Sequence, residues 1–184
     1  QPAWRKKAFA SGSLALALAL AVLAPTDALR EISEPSSPDA RLAFYSEGRE
    51  GVVTVTAKPD YRKLEFNRGA QVPTDYGAFQ LFRLLGHLPL LLHDDPQDVL
   101  VVALGGGIAL GAVAQHDVTR VECVEIVPDV IEAARQEYGP FNHFVLDRLD
   151  EHPIQLIVDD GRNHLLTSSR TYDVITGDAT HPTS

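Results

Sequence analysis

The chain has 184 residues, 45% of them hydrophobic and 22% charged, which suits one globular domain with an appendage and excludes a disordered chain. Its formal charge of −9 excludes a nucleic-acid partner, whose phosphates demand a basic face. A single cysteine, Cys123, inside an apolar run, excludes a disulfide framework and a cysteine metal cluster. There is no methionine and the first residue is Gln1, as in a piece of a longer protein.

Arg5, Lys6 and Lys7 precede Ala8 to Ala24, seventeen uncharged residues, mostly Ala and Leu, that end at Pro25. As a helix they would extend about 25 Å, barely the thickness of a bilayer core. A basic start before an apolar stretch also describes a secretory signal, and the tail of a final membrane helix is a third reading. The preferred expectation is a transmembrane helix over 1–25. The Pro- and Ser-rich 26–41 reads as a linker. Leu42 to Tyr45, Val52 to Ala57 and Lys63 to Phe66 are strand-like and separated by turn signals at Glu47 to Gly51 and Asn67-Arg68-Gly69, so 42–74 is expected as a small antiparallel hairpin module. A helix is expected from Asp75 to His93, interrupted near Pro89, with Phe79, Phe82, Leu85 and Leu88 on its core face.

The centre of the chain follows the break at Asp94-Asp95-Pro96. Val99 to Leu104 is wholly apolar, as a strand buried on both faces of a parallel sheet reads. Gly105, Gly106 and Gly107 come next, then a small-residue helix from Ile108 to Gln115, then a second apolar strand from Val121 to Ile126. Glu125 stands twenty positions after Gly105. Glycines allow the sharp turn and let a ligand come close to a helix N-terminus, and an acid at the second strand's end can accept from two ribose hydroxyls. The pattern is that of a nucleoside site.

Pro128-Asp129 starts a helix to about Tyr138, and Gly139-Pro140 stops it. Phe141 to Pro153 is a mixed connection. Gln155 to Val158 is a third strand running into Asp159-Asp160-Gly161, a helix begins at Asn163 to Leu166, and Tyr172 to Thr176 is a fourth strand with Asp178 beyond it. The order β-α-β-α-β-α-β implies an α/β fold, a doubly wound parallel sheet of Rossmann-like type, over 75–184. Four strands without closing helices leave one face partly uncovered, so this domain is expected to be incomplete.

Ligands of such sheets sit beyond the carboxyl ends of the strands. Gly105 to Gly107, Glu125, Asp160 with Gly161, and Asp178 all fall there. Each acid alone would read as a helix cap or a solvated charge; the set reads as a site. Asp160 suits the exocyclic amine of a base, because a carboxylate only accepts, and Asp178 suits the reactive end, where it can take a proton from an attacking amine. The seven histidines are dispersed, and there is neither a Gly-x-Ser-x-Gly elbow nor a phosphate loop ending in Gly-Lys-Ser/Thr, so neither a metal nor a serine nucleophile is expected.

VLVVALGGG, VECVEIVPDVIEAAR, LIVDDGRNHL and YDVITGDATHP, taken in order, resemble the polyamine aminopropyltransferases, the spermidine synthase family, over roughly Leu42 to Pro182. The apolar helix upstream is similar to the membrane-fused bacterial branch. The resemblance implies a class I methyltransferase-type sheet, decarboxylated S-adenosylmethionine as aminopropyl donor and an amine such as putrescine as acceptor. It implies Glu125 at the ribose, Asp160 beside Gly161 at the adenine, and Asp178 as the proton acceptor. Two positions depart from the family. Ile108 stands where an aspartate usually helps hold the donor's amino group, and His181 stands where a second aspartate follows the proton acceptor. Tyr76 and Gln80 are wrongly spaced for the Tyr-Gln pair of the family's gate region. Methyl transfer from intact S-adenosylmethionine, or a non-catalytic nucleoside-binding sensor on a membrane protein, are the alternatives these departures leave open. The expected partners are a small amine and, through the N-terminal helix, a membrane, with the domain on the cytoplasmic face; a homodimer is allowed.

Overall fold

The computed structural model describes residues 28–177. The expected membrane helix over 1–25 lies outside the described residues, as do Asp178 and His181. Among the described residues no helix is long and apolar enough to cross a membrane. The chain divides into two compact units, Gln1–Glu34 and Pro35–Ser184. The described part of the first contains one helical turn, α1 (Ala28–Glu31).

The second unit opens with an antiparallel sheet of four strands in the order β1 (Arg41–Glu47), β2 (Val52–Lys58), β3 (Tyr61–Phe66) and β4 (Gly69–Pro73). Asn67 and Arg68, at φ of 48° and 67°, supply the two left-handed residues of a tight hairpin between β3 and β4. The Asn67 side chain also accepts from the Val52 N–H at 2.9 Å, which ties that turn to the start of β2. β4 is a strand the sequence pattern did not announce.

Helix α2 (Tyr76–Leu92) starts at an Asp75 cap, whose carboxylate accepts from the Ala78 N–H at 3.2 Å. It is continuous through Pro89, contrary to the expected interruption. Proline has no N–H to give to the carbonyl four residues back, which is Leu85. That carbonyl accepts instead from the Thr176 hydroxyl at 2.7 Å, so the gap in the ladder is closed from outside the helix. The buried face is Phe82, Gly86 and Leu90, with Phe79 and Leu85 half-buried beside it. Leu88, expected on that face, is exposed.

The parallel sheet follows in the order β7-β6-β5-β8, built from β5 (Asp98–Val102), β6 (Arg120–Glu125), β7 (Ile154–Val158) and β8 (Val174–Gly177). Helix α3 (Ile108–Val113) crosses from β5 to β6, α4 (Pro128–Glu137) from β6 towards β7, and α5 (Gly161–Thr167) from β7 to β8. Two 3-10 turns, Val145–Asp147 and Leu149–Glu151, fill the connection before β7. All six residues of α3 are buried, as its unbroken apolar sequence requires. Val174 and Thr176 are buried, whereas Ile175 between them faces the other way and is 54% exposed.

One core cluster joins α3 and the parallel sheet through Val101, Leu110, Val121 and Cys123. A second joins the small sheet to the α/β part: Val53, Val55, Leu64 and Val72 pack with Phe82, Ile108, Val130 and Tyr138. The small sheet is thus one wall of a common interior.

His87 of α2 also meets His116, in the turn just after α3, its Nδ1 lying 2.9 Å from His116 Nε2. Burial, then His116, Arg83 and His143, hold His87 below the usual histidine value of 6.5. The unfolded chain therefore binds the proton more readily between that lowered value and 6.5. Stability is full above that window and falls as pH drops through it. His87→Gln should flatten this part of the acid dependence of the melting temperature between about pH 7.5 and 5.5. An unchanged slope would mean the pair does not report on folding.

Candidate active site

At the carboxyl ends of β5 and β6 lies a cavity of about 370 Å³, the size of a small-molecule site. β3 and β4 form one wall through Leu64, Phe66, Gln71 and Val72. The opposite wall is Val102, Ala103 and Gly105, continued by the end of β6 and the start of α4, with Asp160 and Gly161 at the rim of α5.

The backbone turns sharply after β5. The strand ends at Val102 rather than at Leu104, because Ala103 takes a left-handed φ of 65°. Gly105 and Gly107 follow at φ of 54° and 74°, a conformation glycine adopts without strain. Gly106 is required for a different reason. A Cβ there would sit 2.5 Å from the Tyr138 ring, whose hydroxyl donates to the Val72 carbonyl of β4. The Asn142 amide donates to the Gly106 carbonyl at 3.0 Å and braces the turn from behind. Of the three glycines only Gly105 lines the cavity; Gly106 and Gly107 shape the turn behind it.

Glu125 is 6% exposed, and its carboxylate is oriented by two backbone amides. Oε2 accepts from Leu104 N–H at 2.8 Å and Oε1 from Val127 N–H at 2.9 Å. Each oxygen keeps a further lone pair. Asp160 is the N-cap of α5, its Oδ1 accepting from Asn163 N–H at 2.8 Å, so the helix starts earlier than the expected Asn163. It has a second oxygen for a ligand, so the two readings of this acid, cap and ligand contact, are compatible. Of the residues singled out in the sequence, Gly105, Glu125, Asp160 and Gly161 meet in one cavity. Asp178 lies outside the described residues. Gly177 pairs with Val102, which lines the cavity. Ile108 is 1% exposed and packs in the shared core with Tyr138 and Val130.

Residues 79–184, more than half of the chain, match the spermine/spermidine synthase domain. The chain belongs to that family. A member from Escherichia fergusonii, a polyamine aminopropyltransferase, is 36% identical over 115 residues, covering 62% of this chain and 39% of that protein. Another from Bacillus mycoides is 35% identical over 115 residues, covering 62% of this chain and 40% of that protein. This chain therefore spans about two fifths of the length of these curated relatives. In fold, it is similar to a spermidine synthase solved with the transition-state analogue AdoDATO (TM-score 0.67, 24% identity, 78% of this chain and 48% of that one). It is similar also to the spermidine synthase of Thermotoga maritima (TM-score 0.65, 23% identity, 76% and 48%).

Sequence reasoning missed Gln71. Its Oε1 is buried without a partner, and the residue lines the cavity. A buried acceptor left open in a cavity wall is a place for a ligand's N–H or O–H. The signal that could have found it is β4 itself: once Gly69–Pro73 is a strand beside β3, Gln71 belongs to a wall.

Proposed function

We propose that this domain transfers an aminopropyl group from decarboxylated S-adenosylmethionine to an amine such as putrescine. The observation that carries this reading is the charge of the cavity wall. Among the described residues lining it are two acids, Glu125 and Asp160, and no lysine, arginine or histidine. Intact S-adenosylmethionine carries a carboxylate that such a wall cannot neutralise, whereas the decarboxylated donor carries only positive charge on its sulfonium and ammonium groups. Burying a charge without a partner is costly, so a wall whose described residues include no cation disfavours the carboxylate of the intact donor.

In this reading Glu125 receives the ribose hydroxyls and Asp160 the adenine amine. Gly105, in the turn shaped by Gly106 and Gly107, and Gly161 allow close approach, and the open acceptor of Gln71 takes a donor N–H or O–H. The acceptor nitrogen must be neutral to attack, and Asp178 is the group proposed to take its proton. The lone pair forms the new N–C bond, the C–S bond breaks with its electrons going to sulfur, and a neutral thioether nucleoside leaves. Much of the acceleration comes from holding amine and carbon in line.

Parallel calorimetric titration of the chain with decarboxylated and intact S-adenosylmethionine tests this. The decarboxylated donor should bind at least about tenfold tighter, and Asp160→Ala should weaken it. Gln71→Leu should weaken it by roughly tenfold, the value of one lost hydrogen bond, without lowering the melting temperature. Preference for the intact donor would turn the reading to methyl transfer. Binding without transfer to any added amine would leave a nucleoside-binding module.

A further inference from the structure

The helix that carries Asp160 is poorly anchored by apolar contact. None of the residues of α5 is buried, and Leu166 is 74% exposed. At its first residue it rests on β5, since a Cβ on Gly161 would meet the Val102 side chain at 2.6 Å. One turn later it is held by a charge inside the sheet. Glu122, in the middle of β6, is only 2% exposed. Its Oε2 lies 3.0 Å from His164 Nε2 of α5 and accepts from the Tyr172 hydroxyl at 2.6 Å, while Oε1 pairs with Arg170 Nε at 3.2 Å. Tyr172 and Arg170 belong to the segment leading into β8.

We propose that Glu122 is a positioning residue: through His164 it holds α5 against β6 and so sets where Asp160 stands in the cavity. The inference rests on the reading of that cavity as the donor site. A carboxylate buried in mid-strand is costly unless its hydrogen bonds are met, and here they come from His164 of α5 and from Arg170 and Tyr172 of the single segment that follows it. Burial and the bond to Glu122 push the Tyr172 hydroxyl above its ordinary value, so it stays a donor. With so little apolar packing, the helix takes its place from this polar contact.

Two variants of the full chain test it. His164→Leu removes the tether from the helix side and leaves Glu122 bonded to Tyr172 and Arg170, so the fold is retained. Glu122→Gln keeps an oxygen that accepts from His164 and Tyr172. Amide exchange in α5 should rise at least about tenfold in His164→Leu while β6 is unchanged. Affinity for decarboxylated S-adenosylmethionine should fall roughly five- to tenfold in His164→Leu and stay within about threefold in Glu122→Gln. The loss should vanish when His164→Leu is made in an Asp160→Ala background, because the tether acts through Asp160. Unchanged exchange in α5, or an affinity loss that persists in full beside Asp160→Ala, would overturn the proposal. If the unmodified chain binds no donor, the functional reading falls on its own, and the exchange arm still decides whether Glu122 holds α5.

Discussion

Glu125→Leu is expected to abolish donor binding and to cost the fold about 2–6 kcal/mol. The second figure follows from the two amides that the carboxylate satisfies, Leu104 N–H and Val127 N–H, in a residue 6% exposed. Each buried N–H left without a partner costs about 1–3 kcal/mol. Glu125→Gln should fall between, since its oxygen can take one amide while its NH2 confronts the other. Denaturant unfolding reads the stability term, and calorimetry with decarboxylated S-adenosylmethionine reads the binding term. The two need not move together. If Glu125→Leu unfolds like the unmodified chain, the amide bonds contribute nothing net. If Glu125→Gln folds and still binds the donor fully, the residue is a brace for the turn and not a ribose ligand.

Asp178→Asn should lower kcat for aminopropyl transfer by roughly 100- to 10,000-fold, the usual worth of a general base, with donor affinity within about threefold. The structural ground is the pairing of Gly177 with Val102, which puts the carboxyl end of β8 at the cavity. An alkylamine has a pKa near 10, so at neutral pH little of it is free base. The variant must rely on that fraction, and its rate should therefore climb about tenfold per pH unit where the unmodified enzyme's does not. Equal rates in the two proteins would remove Asp178 from the mechanism.

The parallel sheet was legible in the sequence because each of its strands is a short apolar run ending in a glycine or an acid. Gln155 to Val158 lies within an observed strand, while the expected Val99 to Leu104 and Val121 to Ile126 overrun theirs, which end at Val102 and Glu125. What misled was local. Gly69–Pro73 begins with a turn residue and ends with a proline, which suits an edge strand but hides the strand in a propensity reading. On α2 the buried face runs Phe82, Gly86, Leu90, and a glycine is silent in any count of apolar residues. Leu88 therefore looked like core and is not. The fourth strand starts at Val174 instead of Tyr172, where its pairing with Val99 of β5 begins. Glu125 and Asp160 were legible only as members of a set placed after successive strands, since each alone reads as a cap or a solvated charge. Gln71 was not legible, because its role depends on a wall made by packing one sheet against another.

The bond from Thr176 to the Leu85 carbonyl joins residues 91 apart in the chain. During synthesis α2 emerges long before β8, and until Thr176 arrives the carbonyl opposite Pro89 has water as its partner. Completion of that helix is thus a late, non-local event, of the kind that raises contact order and slows folding. The last described strand is in this sense a latch on an early helix. Any shortened or nascent chain that lacks it leaves α2 with an open rung in its last turns.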